Sequence, residues 1–359
     1  MKVMHIGEYV NGGVATYLNS LMKVSGDSKI EHYLVLSKYK SNHDWNIDAD
    51  KIMYYPYKRK LSYVLSAIKM IQTYINIVQP DIVHVHSTWA GAFVRLPYIL
   101  KKRKFKIVYS PHGWAFLMEN PFYKKNIYAW IERMLSRNTD GIINISQYEQ
   151  EQSIRFGLPK NKMNMIYNGV IEKNTVHVDS AINCDPSKIN LLFVGRLDRQ
   201  KGLDIFLRVY DRILVDSIHL YVIGEGVLDN QHVQSDRKTT YLGWIKNEII
   251  DQYYQMCDAV IMPSRWEGFG LTAVEGMRNA KPIIVSNQGA LPELVKNGQN
   301  GYVFDINDEM DLESILIKLQ KDELKAMGQR ARKIYEEKFM ADQMRIKTYH
   351  LYKKILQDI

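Results

Sequence analysis

The sequence predicts an α/β protein made of two Rossmann-like, doubly wound parallel-sheet domains in tandem, and three observations carry that prediction. A chain of 359 residues with 46% apolar and 24% charged residues is ordinarily globular yet long for one hydrophobic core. Short runs rich in Val and Ile alternate with segments of helical period, the signature of βαβ units. A polar stretch without period, Glu172 to Lys188, contains Pro186 and divides that alternation into two sets.

In the first set, 1–172, Val3 to Ile6 is a strand candidate, and Val14, Tyr17, Leu18 and Leu21 then repeat with helical spacing. Helical Leu61 to Val78 follows, then strands at Ile82 to His86 and Ile107 to Ser110, a helix around Tyr123 to Arg137, and strands at Ile142 to Ile145 and Met163 to Tyr167. The second set, 173–340, opens with the strand Ile189 to Val194 and a helix from Leu203. It continues with the strand Ile218 to Ile223, a helix from Asn247, the strand Ala259 to Met262, a helix from Leu271 and the strand Pro282 to Val285. The tail from Asp308 to Ile359 has a helical pattern, and its last part, 341–359, is expected to return to the first domain.

Composition excludes several classes. Cys184 and Cys257 lie far apart without metal-ligand spacing, so neither a disulfide scaffold nor a structural zinc site is expected. Met1 to Gly7 reaches a glycine loop too soon for a signal-peptide core, and no window approaches the roughly 20 uninterrupted apolar residues of a membrane span. The expected location is the cytoplasm. The net charge of +9 is uneven: residues 1–172 hold 23 Lys and Arg against 13 Asp and Glu, and the remainder 25 against 26. All the excess positive charge lies in the first half.

The strongest local signal is Ser264 to Glu275 (SRWEGFGLTAVE), directly after an apolar strand and opening into a helix. Gly268 and Gly270 permit a tight turn, and the amides of Glu267, Phe269, Leu271 and their neighbours at a helix N-terminus suit a phosphate or sugar oxygen. Glu267 precedes the helix and Glu275 lies within it, so the two carboxylates are expected to approach one pocket from different levels. The second signal is Gly195 to Gly202 (GRLDRQKG), again at the carboxyl end of a strand, where open α/β sheets bind ligands. Arg196 and Lys201 there offer a bidentate fork and a point charge, suited to a nucleotide diphosphate. Gly224-Glu225-Gly226 and Gly12-Gly13 repeat the glycine turn after two further strands, and His112 follows another. His84-Val85-His86 puts two imidazoles on one face, but with no third ligand in view metal binding is not expected there.

Together these residues resemble the family-four retaining glycosyltransferases of bacterial polysaccharide biosynthesis, which have the GT-B fold. The resemblance runs in order through the glycine pair, His112-Gly113, Asn168-Gly169-Val170, Gly195-Arg196 with Lys201, Gly224-Glu225-Gly226 and the two-glutamate motif. It implies two domains facing a central cleft and a nucleotide-sugar donor, carrying UDP or GDP, on the second domain. Arg196 and Lys201 would hold the diphosphate, the amides from Glu267 to Leu271 the sugar and phosphate oxygens, and Glu275 the ribose. Trp244 and Ile245 would flank the base, with Gly224 and Glu225 nearby. Gly12 and Gly13 would contribute from the first domain, and His112 would lie near the donor sugar. His112, Arg196, Lys201 and Glu267 are the catalytic candidates, with no metal and no cofactor.

The resemblance further implies a hexose or N-acetylhexosamine moved to a saccharide acceptor that is lipid-linked, in the synthesis of a surface polysaccharide such as lipopolysaccharide, O-antigen or capsule. The basic first domain, with Lys58-Arg59-Lys60, Lys101-Lys102-Arg103-Lys104 and Lys124-Lys125, would then meet an anionic membrane surface at the inner leaflet and not nucleic acid. The alternatives are a nucleotide-sugar epimerase of similar fold and a nucleotide-sugar-binding protein without turnover.

Overall fold

The computed structural model describes residues 1–23, 30–41, 44–99, 101–173, 184–213, 216–226 and 239–357. The chain forms two compact units, Met1–Gly169 with Ala341–Ile359, and Val170–Met340.

The first unit runs β1 (Lys2–Gly7), α1 (Gly12–Met22), β2 (Glu31–Ser37), β3 (Ile52–Tyr55), α2 (Val64–Val78), β4 (Ile82–His86), α3 (Thr88–Arg95), β5 (Lys106–Ser110), α4 (Phe122–Ser136), β6 (Gly141–Asn144), α5 (Gln147–Arg155) and β7 (Met163–Met165). These strands make a parallel sheet in the order β3-β2-β1-β4-β5-β6-β7. The sequence reading passed over β2, β3 and α3. Of these only β3 is an edge strand; β2 is interior, paired with β1 and β3, and its sequence EHYLVLS mixes polar and apolar residues without the Val/Ile run that marks the other strands.

Strand alternation sorts the core of this unit. Met4, Ile6, Val35, Val83, Val85, Ile107 and Tyr109 pack on one face with α2 and α3. Val3, Leu34, Ile82 and Val108 pack on the other with α1 and with the chain's last helix. By length and composition the stretch Leu61–Val78 would be apolar enough to cross a membrane. Its buried residues Ala67, Ile71, Ile75 and Val78 form one stripe against the sheet, the pattern of a surface helix that covers a core.

The second unit runs β8 (Ile189–Val194), α6 (Leu203–Arg212), β9 (Ile218–Ile223), β10 (Thr239–Gly243), α7 (Ile250–Met256), β11 (Ala259–Met262), α8 (Leu271–Arg278), β12 (Ile283–Ser286), α9 (Leu291–Leu294), β13 (Gly301–Phe304), α10 (Glu309–Lys318) and α11 (Lys321–Lys338). Its sheet order is β10-β9-β8-β11-β12-β13, all parallel. Two element starts differ from expectation. β12 begins at Ile283 and not at Pro282, which has no N–H for the ladder. α7 begins at Ile250, after a turn closed by Ile249 N–H on the Lys246 carbonyl.

The division between units falls after Gly169, three residues before the expected boundary at Glu172. Val170 donates its N–H to the Phe339 carbonyl and accepts from the Tyr335 hydroxyl, Arg278 bonds the Ile171 carbonyl, and Arg332 pairs with Glu172. These bonds attach 170–172 to the second unit. Of the polar connection that follows, 174–183 lie outside the described residues. The final helix α12 (Ala341–Gln357) packs with α1 of the first unit. Cys184 and Cys257 are sequence-distant but neighbours in the fold, and both are free thiols.

Candidate active site

At the carboxyl edge of the second sheet, three turns lock together. The Gly195 N–H bonds the Ile223 carbonyl at 3.0 Å, the Gly224 N–H the Gly243 carbonyl at 2.9 Å, and the Leu197 N–H the Glu225 carbonyl at 3.0 Å. Gly224 has φ +144°, and a Cβ there would collide with the Gly195 carbonyl. Only glycine permits both the conformation and the approach. Gly202 repeats the device, with φ +67° and its α-carbon against the Pro263 carbonyl.

These turns position the predicted cations. Lys201 Nζ lies 2.7 Å from Glu267 Oε2, with both side chains largely buried. The salt bridge ties the β8–α6 loop to the β11–α8 loop, and Gln200 adds a bond to the Trp266 carbonyl at 3.2 Å. Arg265 strengthens the same junction with two bonds to Asp204, at 2.8 and 2.6 Å. Arg196 is half exposed and held by the Gln200 carbonyl oxygen Oε1 at 2.7 Å and by Asp198 at 3.1 Å. The sequence reading identified Arg196 and Lys201 but missed Gln200, which organises both loops.

The Glu267 backbone is fixed from behind. Its carbonyl accepts the Ala290 N–H at 3.1 Å, and Gly289, at φ +61°, packs directly on it. Gly270 caps α8 at φ +101°, and its carbonyl accepts from Ala273 at 3.0 Å, so the amides of Leu271 and Thr272 at the start of the helix follow the turn containing Gly268. The Phe269 ring is buried and packs edge-on against Phe339 at 5.8 Å, so its side chain serves the core and its backbone alone can serve a ligand. Leu271 is the first residue of the helix and half-buried.

The two glutamates have separate partners. Glu267 pairs with Lys201, whereas Glu275 accepts from the Tyr254 hydroxyl at 3.0 Å beside the Arg278–Asp251 pair. Glu275 lies just over one helical turn beyond the cap, where its carboxylate meets Tyr254 on α7. Burial pushes the Glu275 carboxyl above its ordinary range, opposed by Arg278 and the Tyr254 bond. Trp244, 66% exposed, and Ile245 follow β10 at the sheet edge.

In the first unit, Gly12 and Gly13 open α1 and are exposed, with Gly12 at φ +51° and open space where a Cβ would stand. His112 follows β5 at φ +53°, left-handed backbone that a histidine rarely adopts and that functional turns often hold. Its Nε2 lies 2.9 Å from His86 Nδ1, and Tyr17 packs edge-on against its ring at 4.6 Å. Burial lowers its pKa to about 3, so the ring is neutral at physiological pH. The third imidazole absent from the sequence reading of His84 and His86 is His5. β1 and β4 are neighbours with His5 in register with His84, and ring nitrogens of all three lie within 4.8 Å of one another.

Two α/β units of parallel sheet, with glycine turns and a lysine–glutamate junction at a carboxyl edge, have the architecture of the GT-B class. The description Glycosyltransferase Family 4 matches residues 11–173, and Glycosyl transferases group 1 matches 179–334. A Klebsiella pneumoniae protein described as an uncharacterized 41.2 kDa protein in cps region is 34% identical over 86% of this chain and 87% of its own length. The chain belongs to glycosyltransferase family 4. It is also similar to the Escherichia coli UDP-Gal:alpha-D-GlcNAc-diphosphoundecaprenol alpha-1,3-galactosyltransferase, 28% identical over 68% of this chain and 67% of that one. Among solved structures, Anabaena HepE in complex with UDP-glucose has the same fold, with a TM-score of 0.78 at 17% identity over 99% of this chain and 100% of that chain.

Proposed function

We propose that this glycosyltransferase moves a hexose or N-acetylhexosamine from a UDP- or GDP-sugar to a lipid-linked saccharide, with retention and without metal, in surface-polysaccharide synthesis. The observation that carries the reading is the Lys201–Glu267 pair at 2.7 Å, with Arg196 beside it at the same sheet edge. A diphosphate arriving there would compete with Glu267 for Lys201 and draw the half-exposed Arg196 from Asp198. The relatives support the substrate classes: one lies in a cps region, one carries UDP-Gal and a diphosphoundecaprenol acceptor in its name, and HepE binds UDP-glucose.

In this reading the bond from C1 to the diphosphate oxygen breaks with its electron pair on the leaving group. Arg196, Lys201 and the α8 amides stabilise that charge. The acceptor hydroxyl attacks C1 from the same side, and its proton passes to the departing phosphate oxygen. Trp244 offers an exposed ring for stacking on the base. Turnover separates this reading from a binding protein, and transfer to an acceptor separates it from an epimerase.

In this reading Glu275 binds the ribose hydroxyls. Truncation to alanine would also orphan the buried Tyr254 hydroxyl, so Glu275→Gln, which keeps an acceptor for Tyr254, is the cleaner variant. Calorimetry with UDP- and GDP-sugars in EDTA is expected to give about a tenfold loss of donor affinity, from the weaker bond of a neutral group to hydroxyls. Unchanged affinity would remove the ribose role, and loss of wild-type binding in EDTA would overturn metal independence.

We further propose that the first unit rests on an anionic inner-leaflet surface through α4. Its inward stripe, Ala129, Glu132, Leu135 and Ser136, is buried, and Glu132 pairs with the buried Arg95 at 2.9 Å. Its outward side exposes Phe122, Tyr123, Ile127 and Trp130 beside Lys124. Rings and lysines on one helix face suit a bilayer interface. The other basic clusters are partly used internally: Arg59 pairs with the buried Glu8 and Arg103 with Asp140. Flotation with vesicles rich in anionic lipid is expected to carry the protein and to leave Trp130→Ser behind; equal behaviour with neutral vesicles would sink the proposal.

A further inference from the structure

One face of the first sheet carries His32, His5, His84, His86 and Ser110. The pairings His5 with Leu34, His5 with His84 and His86 with Ser110 put these side chains on the same side, under α1 and α12. Each imidazole bonds the next. His112 Nε2 is 2.9 Å from His86 Nδ1, His86 Nε2 3.1 Å from His5 Nδ1, and His5 Nε2 3.0 Å from His32 Nδ1. His32 Nε2 is then 3.1 Å from the Tyr349 hydroxyl, which lies 3.0 Å from the Leu21 carbonyl. His84 stands beside the row, with its nitrogens bonded to Tyr352 and Ser110 at 2.6 and 2.8 Å. Both nitrogens of His5, His84 and His86 are thus already engaged in hydrogen bonds, so we read the cluster as a chain of bonds and not as a metal centre.

A chain of this kind has a direction. A neutral imidazole has one N–H and one bare nitrogen, so fixing one ring fixes all the others. Burial keeps His5 and His86 neutral and lowers His32 to about 4. The phenols that face the cluster, Tyr17 on α1 and Tyr349 and Tyr352 on α12, are pushed upward by burial and stay protonated. Only two arrangements satisfy every bond between rings, and they are complete reversals of each other. The Leu21 carbonyl breaks the tie, because a carbonyl can only accept and Leu21 sits in the last turn of α1, where helix carbonyls lack intrahelical donors. The single Tyr349 proton therefore goes to Leu21. Tyr349 oxygen then accepts from His32 Nε2–H, His32 Nδ1 from His5 Nε2–H, His5 Nδ1 from His86 Nε2–H, and His86 Nδ1 from His112 Nε2–H.

We propose that Tyr349 in the last helix acts as a positioning residue that fixes the Nε2–H tautomer of His112 through three intervening histidines, leaving His112 Nδ1 as a hydrogen-bond acceptor at the carboxyl edge of the first sheet. Such an acceptor suits a sugar hydroxyl, and that last step alone rests on the transferase reading. The strained left-handed backbone at His112 presents the ring for this bond, and α12 is the covering element that completes the chain.

The test is side-chain ¹H–¹⁵N correlation on the ¹⁵N-histidine-labelled full chain near neutral pH, without substrate. His112, His86, His5 and His32 are all expected to show the Nε2–H pattern. Tyr349→Phe, which takes away the acceptor for His32 and the donor for Leu21, is expected to convert His112 to a mixture of tautomers although it does not touch that ring. An Nδ1–H pattern at any of the four wild-type rings would overturn the proposal, as would an unchanged His112 signal in a folded Tyr349→Phe. If that variant does not fold, the wild-type spectrum decides alone. Correct tautomers without donor turnover would leave the relay standing and remove the transferase reading instead.

Discussion

Acidification is expected to unfold the first unit well above the pH at which carboxylates titrate. His5, His84 and His86 are fully buried, His32 is 6% exposed, and burial lowers all four pKa values. The native values lie below the unfolded value of about 6.5, so the unfolded chain binds more protons in acid. The stabilisation is complete above about pH 6.5 and is lost as pH falls from there toward the native values. Each such histidine contributes a slope of about 1.4 kcal/mol per pH unit, and four together about 5. Domains are usually stable by only about 5–15 kcal/mol, so the first sheet is expected to open between about pH 6 and 5. Hydrogen exchange of β1 and β4 amides against pH reads this directly. Protection that stays flat down to about pH 5 would show that these rings are not held neutral by the fold.

Lys201→Ala is expected to lower the single-turnover rate by about 10² to 10³, the effect typical of removing one preorganised partner of a developing negative charge. The fold is expected to survive, because the β11–α8 loop keeps its other ties: Gln200 to the Trp266 carbonyl, Arg265 to Asp204, and Ala290 to the Glu267 carbonyl. The variant leaves Glu267 unpaired in a largely buried setting, so Lys201→Ala combined with Glu267→Gln separates repulsion of the donor by that carboxylate from loss of the cation. A rate within about threefold of wild type in both forms would remove Lys201 from the chemistry.

Legibility differed sharply between the two sites. The second unit's site was readable because its parts are local: β8, Arg196, Lys201 and α6 are consecutive, as are β11, Glu267, Gly270 and α8. Glycines at strand ends announce a turn, and cations in such turns announce an anion. The partners of those side chains were not readable. Gln200 and Tyr254 gave no sequence signal, since an ordinary polar residue in a loop and an ordinary aromatic in a helix look the same whether or not they bond Arg196 or Glu275.

By itself the sequence determined two α/β units with a pair of cations at the second sheet's carboxyl edge, because strand–turn–helix periodicity and glycine placement are written within about thirty residues at a time, and the order of its motifs carried the resemblance to glycosyltransferases. The strand order and the seating of α12 were decided only in three dimensions. Residues 5, 32, 84, 86, 112 and 349 meet because β2, β1, β4 and β5 lie side by side under the last helix. Hydrogen bonds between buried rings depend on that adjacency, and adjacency in a parallel sheet is set by crossovers that sequence spacing does not encode.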